Sequence, residues 1–273
     1  MMQISNLHID FGTKVPNGLL SFIEQILQHS RQNNIGPIEI FLDLFNINWF
    51  GGYNLRYFNT PFEFFPYAGN GSGGEHFGYV IHIENQKDFK TGYFDPINDD
   101  EIQFLGNNTS EMFQNLLTEE REFLGNYATL IKKLNLDTQT NPDRFDVKGS
   151  IEPFVPANWK WKRTEDGIGV LAPAELFNPI DISREQYKII FYNRITEFMS
   201  IAVTNKEQGF YGTALYYLKN LYYYESSNFE YAIEIINEMI EIYEYLDRNH
   251  LCVVAKRTKK DLQTQIETID NMG

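Results

Sequence analysis

Hydrophobic positions along this chain recur first at helical spacing, then in short alternating runs, and at helical spacing again. Leu19, Leu20, Phe22, Ile23, Ile26 and Leu27 share one side of a 3.6-residue helix that Val15-Pro16 opens and that ends before Gly36-Pro37. "IEIFLDLF" (38–45) alternates and is expected to be a strand, and "YNLRYF" (53–58), behind the Gly51-Gly52 turn, a second. "HFGYVIHI" (76–83) predicts a third, entered through the loop Gly69–Gly74, and "TGYFDP" and "EIQFLG" two short ones around the acidic turn Asn98-Asp99-Asp100. Thr109-Ser110 cap a helix carrying Met112, Phe113, Leu116 and Leu117, which continues in broken form to Leu134. Helices at the ends with strands between them argue for α+β, with a mostly antiparallel sheet, over a parallel βαβ arrangement.

The pattern changes twice more. Residues 136–180 are interrupted by Pro142, Pro153, Pro156, Pro173 and Pro179, and read as a connector. Within it "NWKWKRTEDGIGVLAP" predicts a hairpin turning at Asp166-Gly167, with Trp159 and Trp161 on one face in a packing role. From 181 to 273 the chain reads as a small helical bundle. Ser183 and Gln186 form a capping box ahead of Tyr187, Ile190, Phe191, Ile195, Phe198 and Met199. A second helix carries Leu215, Leu218, Leu221 and Tyr222, a third Phe229, Ala232, Ile236, Met239, Tyr243 and Leu246, and residues 250–269 make a fourth. The hairpin at 211–246 resembles a tetratricopeptide pair, but Asn220 takes a position expected to be small, and no second copy repeats. The expected domains are 1–135, 136–180 and 181–273.

Composition narrows the function. The 273 residues are 42% hydrophobic and 15% aromatic, enough to bury real cores. A single cysteine, Cys252, excludes a disulfide framework and a multi-cysteine metal knuckle. "MMQISNLHID" lacks the basic-then-apolar build of a secretory signal, and no apolar run approaches the roughly 18 residues a membrane helix needs, so the expectation is a cytoplasmic protein without membrane partners. With 23 basic and 37 acidic residues the net charge is -14, which repels nucleic acid and steers basic proteins inward.

Catalytic chemistry finds little purchase. His76, His82 and Glu84 share strand parity, but the spacing is loose and no third histidine is near. Glu75 and His76 are adjacent and would point to opposite faces of a strand. "GNGSGG" (69–74) lacks the GKS or GKT of a phosphate loop and precedes a strand, so it reads as a turn, and Cys252 reads as core. No catalytic site, metal or cofactor is expected.

Two stretches, "FFPYAGNGSGGEHFGYVIHI" and "TGYFDPINDDEIQFLGNNTSEMFQNLL", together with "VPNGLLSFIEQI", resemble the SMI1/KNR4 family, the SUKH superfamily, over roughly residues 10–120. Asp95, Asp99, Asp100 and Glu101, then Ser110, Phe113, Leu116 and Leu117, follow the order of that family's pattern. The resemblance implies an α+β domain without a catalytic centre. Many bacterial members are immunity proteins that neutralise a polymorphic toxin, and fungal relatives are regulatory hubs. The expected function is therefore non-enzymatic protein binding, most concretely immunity against a basic toxin domain. A regulatory adaptor, or a metal-dependent hydrolase using His76 and His82, is the alternative. The expected contact residues are Asp95, Asp99, Asp100 and Glu101, the helical stripe Glu230, Glu234, Glu238 and Glu241, and the aromatics Tyr67, Phe77 and Tyr79.

Overall fold

The first amphipathic stripe forms α1 (Asn17–Asn33) in the computed structural model, which describes residues 15–70, 74–84, 86, 88–96, 101–138, 147–180 and 195–271. Asn34 ends α1 in the left-handed conformation, its N–H returned to the Ser30 carbonyl. The chain divides into two units, Met1–Arg56 with Glu63–Ile151, and Tyr57–Phe62 with Glu152–Gly273. The boundary lies inside the proline-rich stretch, and the hairpin counts with the C-terminal helices.

The first unit is α+β. Residues 38–45, expected as a strand, are instead a helix, α2 (Pro37–Phe45). Pro37 at the first helical position fixes a helical φ. Ile40, Phe41, Leu44 and Phe45 are the buried set, spaced as one helix face, while Ile38 and Leu42 stay exposed. The strand expected over 53–58 is also absent. A 3₁₀ turn, Tyr53–Leu55, closes through Leu55 N–H to Gly52 O and Arg56 N–H to Tyr53 O, so the backbone donors are satisfied locally.

Five antiparallel strands run in sequence order: β1 (Trp49–Phe50), β2 (Phe64–Gly69), β3 (His76–Val80), β4 (Lys90–Phe94) and β5 (Gln103–Gly106). Pro66 hid β2 from the sequence reading, because proline cannot donate to a ladder. It is tolerated because β1 pairs only with Gly69 and Ala68, leaving Pro66 beyond its end, and because the register shifts between Pro66 and Ala68. One sheet face carries Tyr67, Phe77, Tyr79 and Tyr93, with Tyr67–Tyr79 and Phe77–Tyr93 ring centroids 5.5 and 5.9 Å apart. This face meets α3 (Thr109–Leu116), where Tyr67 O–H donates to Met112 Sδ at 3.1 Å and Tyr79 Oη and Thr109 Oγ1 share a hydrogen bond of 2.8 Å. Asn108, rather than Thr109 or Ser110, caps α3 by accepting from Glu111 N–H. Behind α3, Phe113 stacks on Phe22 at 3.7 Å and meets Phe45 edge-on at 4.9 Å, tying α1 and α2 to the sheet layer. Two short helices follow, α4 (Arg121–Asn126) and α5 (Ala128–Lys133).

The second unit is a hairpin on helices: β6 (Trp159–Lys162) and β7 (Val170–Pro173), then α6 (Ile195–Glu207), α7 (Tyr211–Glu225), α8 (Phe229–Tyr245) and α9 (Asn249–Asp270). The expected capping box and the first apolar positions of the opening helix, 183–194, lie outside the described residues. Every residue of α7 from Gly212 to Tyr222 is buried, polar ones included. The stretch 163–178 supplies partners for them. Lys219 Nζ donates to Gly169 O at 3.0 Å and lies 3.6 Å from Asp166, and Asn220 Oδ1 accepts from Glu165 N–H at 2.8 Å. Thr213 Oγ1 accepts from Asn178 N–H at 2.8 Å. Trp159 lies under the Arg248 guanidinium at 5.2 Å and Trp161 Nε1 donates to Ile168 O at 2.8 Å, consistent with packing. Segment 57–62 completes this core: Phe62 is 1% exposed and packs on Tyr222 and Tyr243, while Tyr222 O–H donates to Phe58 O.

Two substitutions test these cores. A Cβ on Gly78 would sit 2.5 Å from Phe65 O and 2.8 Å from the Phe64 ring, so Gly78→Ala is expected to cost about 2 kcal/mol in urea unfolding. Lys219→Met keeps the stem's packing but removes the cation beside the buried Asp166 carboxylate. A loss of about 3 kcal/mol is expected, and an unchanged midpoint would show that the pair carries no stability.

Candidate interaction surface

The acidic residues of α8 are laid out by helical geometry alone. Glu230, Glu234, Glu238 and Glu241 follow one another at spacings of four, four and three, and Tyr245 continues the row four residues on. Like charges so spaced destabilise a helix by roughly 0.2–0.5 kcal/mol per pair. The unit offsets this unevenly. Lys206 of α6 reaches both Glu238 and Glu241, the latter at 2.7 Å. Burial alone would lower the Lys206 pKa, but the hydrogen bonds and charges of the two glutamates outweigh it and the net shift is upward. Glu230 occupies the first turn, where the helix dipole favours a carboxylate. Glu234 is exposed, and neither it nor Glu230 has an ion pair among the described residues. Tyr231 between them has its pKa raised by burial, then by Glu225 and Glu234.

The aromatic end of the row was missed by sequence reasoning. Tyr245 is 58% exposed and stacks on Tyr211 of α7 with centroids 3.8 Å apart. Together the row presents two carboxylates without an ion pair among the described residues, a clamped pair and an exposed aromatic face. That combination suits Lys or Arg side chains of a partner, through charge and through cation–π contact. The continued spacing from Glu241 to Tyr245 was the signal available in the sequence.

The other expected contact residues are placed differently. Tyr67, Phe77 and Tyr79 are 0%, 1% and 1% exposed, and the hydrophobic layer described above occupies their ring faces, so they offer no surface to a partner. Burial raises the Tyr67 and Tyr79 pKa well above the phenol's ordinary value. Asp95 is buried and Glu101 half-buried, while Asp99 and Asp100 lie outside the described residues. The acidic turn is therefore not assembled as one exposed patch among the described residues.

His76 and His82 are both buried, and β3 ends at Val80, so strand alternation does not carry His82 or Glu84 onto the His76 face. No group of three metal-ligating side chains occurs among the described residues. Burial pushes the His76 pKa down to about 4; the neighbouring Asp95 carboxylate opposes the shift and Arg56 adds to it. Cys252 is buried too, and desolvation, then Glu244, raises its thiol pKa, which disfavours the nucleophilic thiolate. Among the described residues no helix is long and apolar enough to cross a membrane. The sequence matches no model of a known protein family, and no curated protein matches it.

The His76 shift has a signed consequence. Its folded pKa lies near 4 against 6.5 for the free side chain, so acid protonates the unfolded chain first. Stability is retained above pH 6.5 and is lost as pH falls towards 4, by about 3 kcal/mol in all. His76→Gln removes this component. The difference between wild-type and variant urea midpoints is expected to narrow through that window, and a constant difference would refute the assignment.

Proposed function

We propose that this protein is a non-enzymatic binding protein, most concretely an immunity protein of the SMI1/KNR4 type that captures a basic toxin domain. The observation that carries the reading is the single row on α8: Glu230 and Glu234 unpaired among the described residues, Glu238 and Glu241 fixed by Lys206, and Tyr245 exposed on its stack. Fixed carboxylates and a rigid aromatic cost little entropy to present, which favours recognition of cationic side chains. The sequence resemblance at 10–120 is what supports the family part of this reading, and the burial of His76, His82 and Cys252 leaves each of them poorly placed for chemistry on a substrate. The adaptor reading differs in outcome: an immunity protein forms an equimolar complex that abolishes its partner's activity.

The partner is recovered by immunoprecipitating the full chain from its native cell, and association is then followed by stopped flow. The on-rate is expected to fall at least about tenfold as salt rises from roughly 0.02 to roughly 0.3 M. Glu230→Lys with Glu234→Lys should lower it further while leaving the off-rate nearly unchanged. These two positions are chosen because reversal at Glu238 or Glu241 would also break the Lys206 clamp. A partner whose association ignores both salt and charge reversal sinks the proposal.

A further inference from the structure

Segment Tyr57–Phe62 counts with the second unit, while Arg56 before it and Glu63 after it count with the first. The base of this loop is fastened within the first unit. Arg56 Nη1 donates across the base to Phe64 O, and Ile81 N–H donates to Glu63 O at 2.8 Å. The loop is also tied to itself: Thr60 N–H donates to Tyr57 O at 3.0 Å, and Thr60 Oγ1 accepts from Tyr57 N–H at 2.9 Å. Pro61 fixes one further φ. None of these bonds involves a helix of the second unit.

The loop's aromatic side chains, by contrast, belong to the second unit's core. Phe62 is fully buried, its ring centroid 5.0 Å from that of Tyr222 and 6.4 Å from that of Tyr243. Phe58 meets Phe229 edge-on at 5.8 Å, and its carbonyl accepts from Tyr222 O–H. Tyr222 lies in the last turn of α7, Phe229 opens α8 and Tyr243 lies in its last turn. One loop thus touches both ends of the helix that carries the acidic row.

We propose that Tyr57–Phe62 is a latch that makes the folded state of the second unit conditional on that of the first. With the first unit folded, the fastened loop offers Phe58 and Phe62 already shaped, and burying them orders little additional chain. When the first unit opens, the bonds of Arg56 and Glu63 at its base are lost. The loop is then one point on a long flexible chain, and seating the same rings requires closing that chain. Without them the core at Tyr222 and Tyr243 is left with a cavity, and α7 and α8 open in turn.

Pulse-labelling hydrogen exchange across a urea titration of the full chain reads separate midpoints for β3 and α3 and for α7 and α8. In the wild type these midpoints are expected to coincide. Phe113→Ala empties the cluster with Phe22 and Phe45, which contains no residue of the latch, and should lower all four by roughly 1–2 M. Phe62→Ala should lower the midpoints of α7 and α8 and leave those of β3 and α3 in place. The direction of the dependence is the readout that an ordinary core role for Phe62 does not supply. If Phe113→Ala leaves the first unit unfolded even without urea, α7 and α8 are expected to be unprotected as well. Midpoints of α7 and α8 that Phe113→Ala leaves unmoved, or helices still protected where β3 and α3 have exchanged, overturn the proposal. So does a Phe62→Ala chain whose α7 and α8 keep the wild-type midpoint.

Discussion

A helix buried on every side must have its polar groups satisfied by whatever surrounds it, and α7 imposes that constraint on the whole second unit. Thr213, Lys219 and Asn220 lie within its buried run, where an unmatched amide or hydroxyl costs about 1–3 kcal/mol and an unpaired charge more. Their partners are mostly backbone groups of segment 164–178. Thr164 and Asp166 bond to each other, while Ile168 N–H donates to Asp166 and Gly169 N–H to Thr164, so the loop that faces Lys219 is also tied by its own side chains. Packing, hairpin geometry and polar satisfaction are thus one problem with one solution.

Charge is distributed with similar economy. The acids of α8 that crowd each other most towards the C-terminal half are clamped by Lys206, and Glu244 is paired with Lys256 at 2.6 Å. Glu230 and Glu234, nearer the N-terminus, have no ion pair among the described residues, and the helix dipole favours Glu230 in the first turn. An acidic chain therefore need not present a uniform negative surface. It carries a directed row on one helix.

Much of the fold was legible because periodicity reports burial directly. The stripe Leu19, Phe22, Ile23 and Ile26 and the helices after residue 195 were readable for that reason. Residues 38–45 were misread because short apolar runs satisfy both periods, and Pro37 was the overlooked arbiter. The strand at 64–69 was invisible because Pro66 argues against a ladder unless the neighbouring strand is known to stop short. Asn220 broke an expected pattern for a reason that only the spatial neighbour Glu165 supplies. In the candidate surface the acidic row was legible from spacing, while Tyr67, Phe77 and Tyr79 were misassigned because aromatic residues mark cores and interfaces alike.

Segment Tyr57–Phe62 belongs to one unit while the chain on both sides of it belongs to the other. The polypeptide therefore changes unit three times, and no single cut yields two intact pieces. During synthesis, Phe58 and Phe62 emerge long before Tyr222, Phe229 and Tyr243, the rings against which they pack. The N-terminal unit must consequently close around a loop of apolar residues whose shelter has not yet been made. A nascent chain paused near residue 151 would display those rings to solvent or to a chaperone.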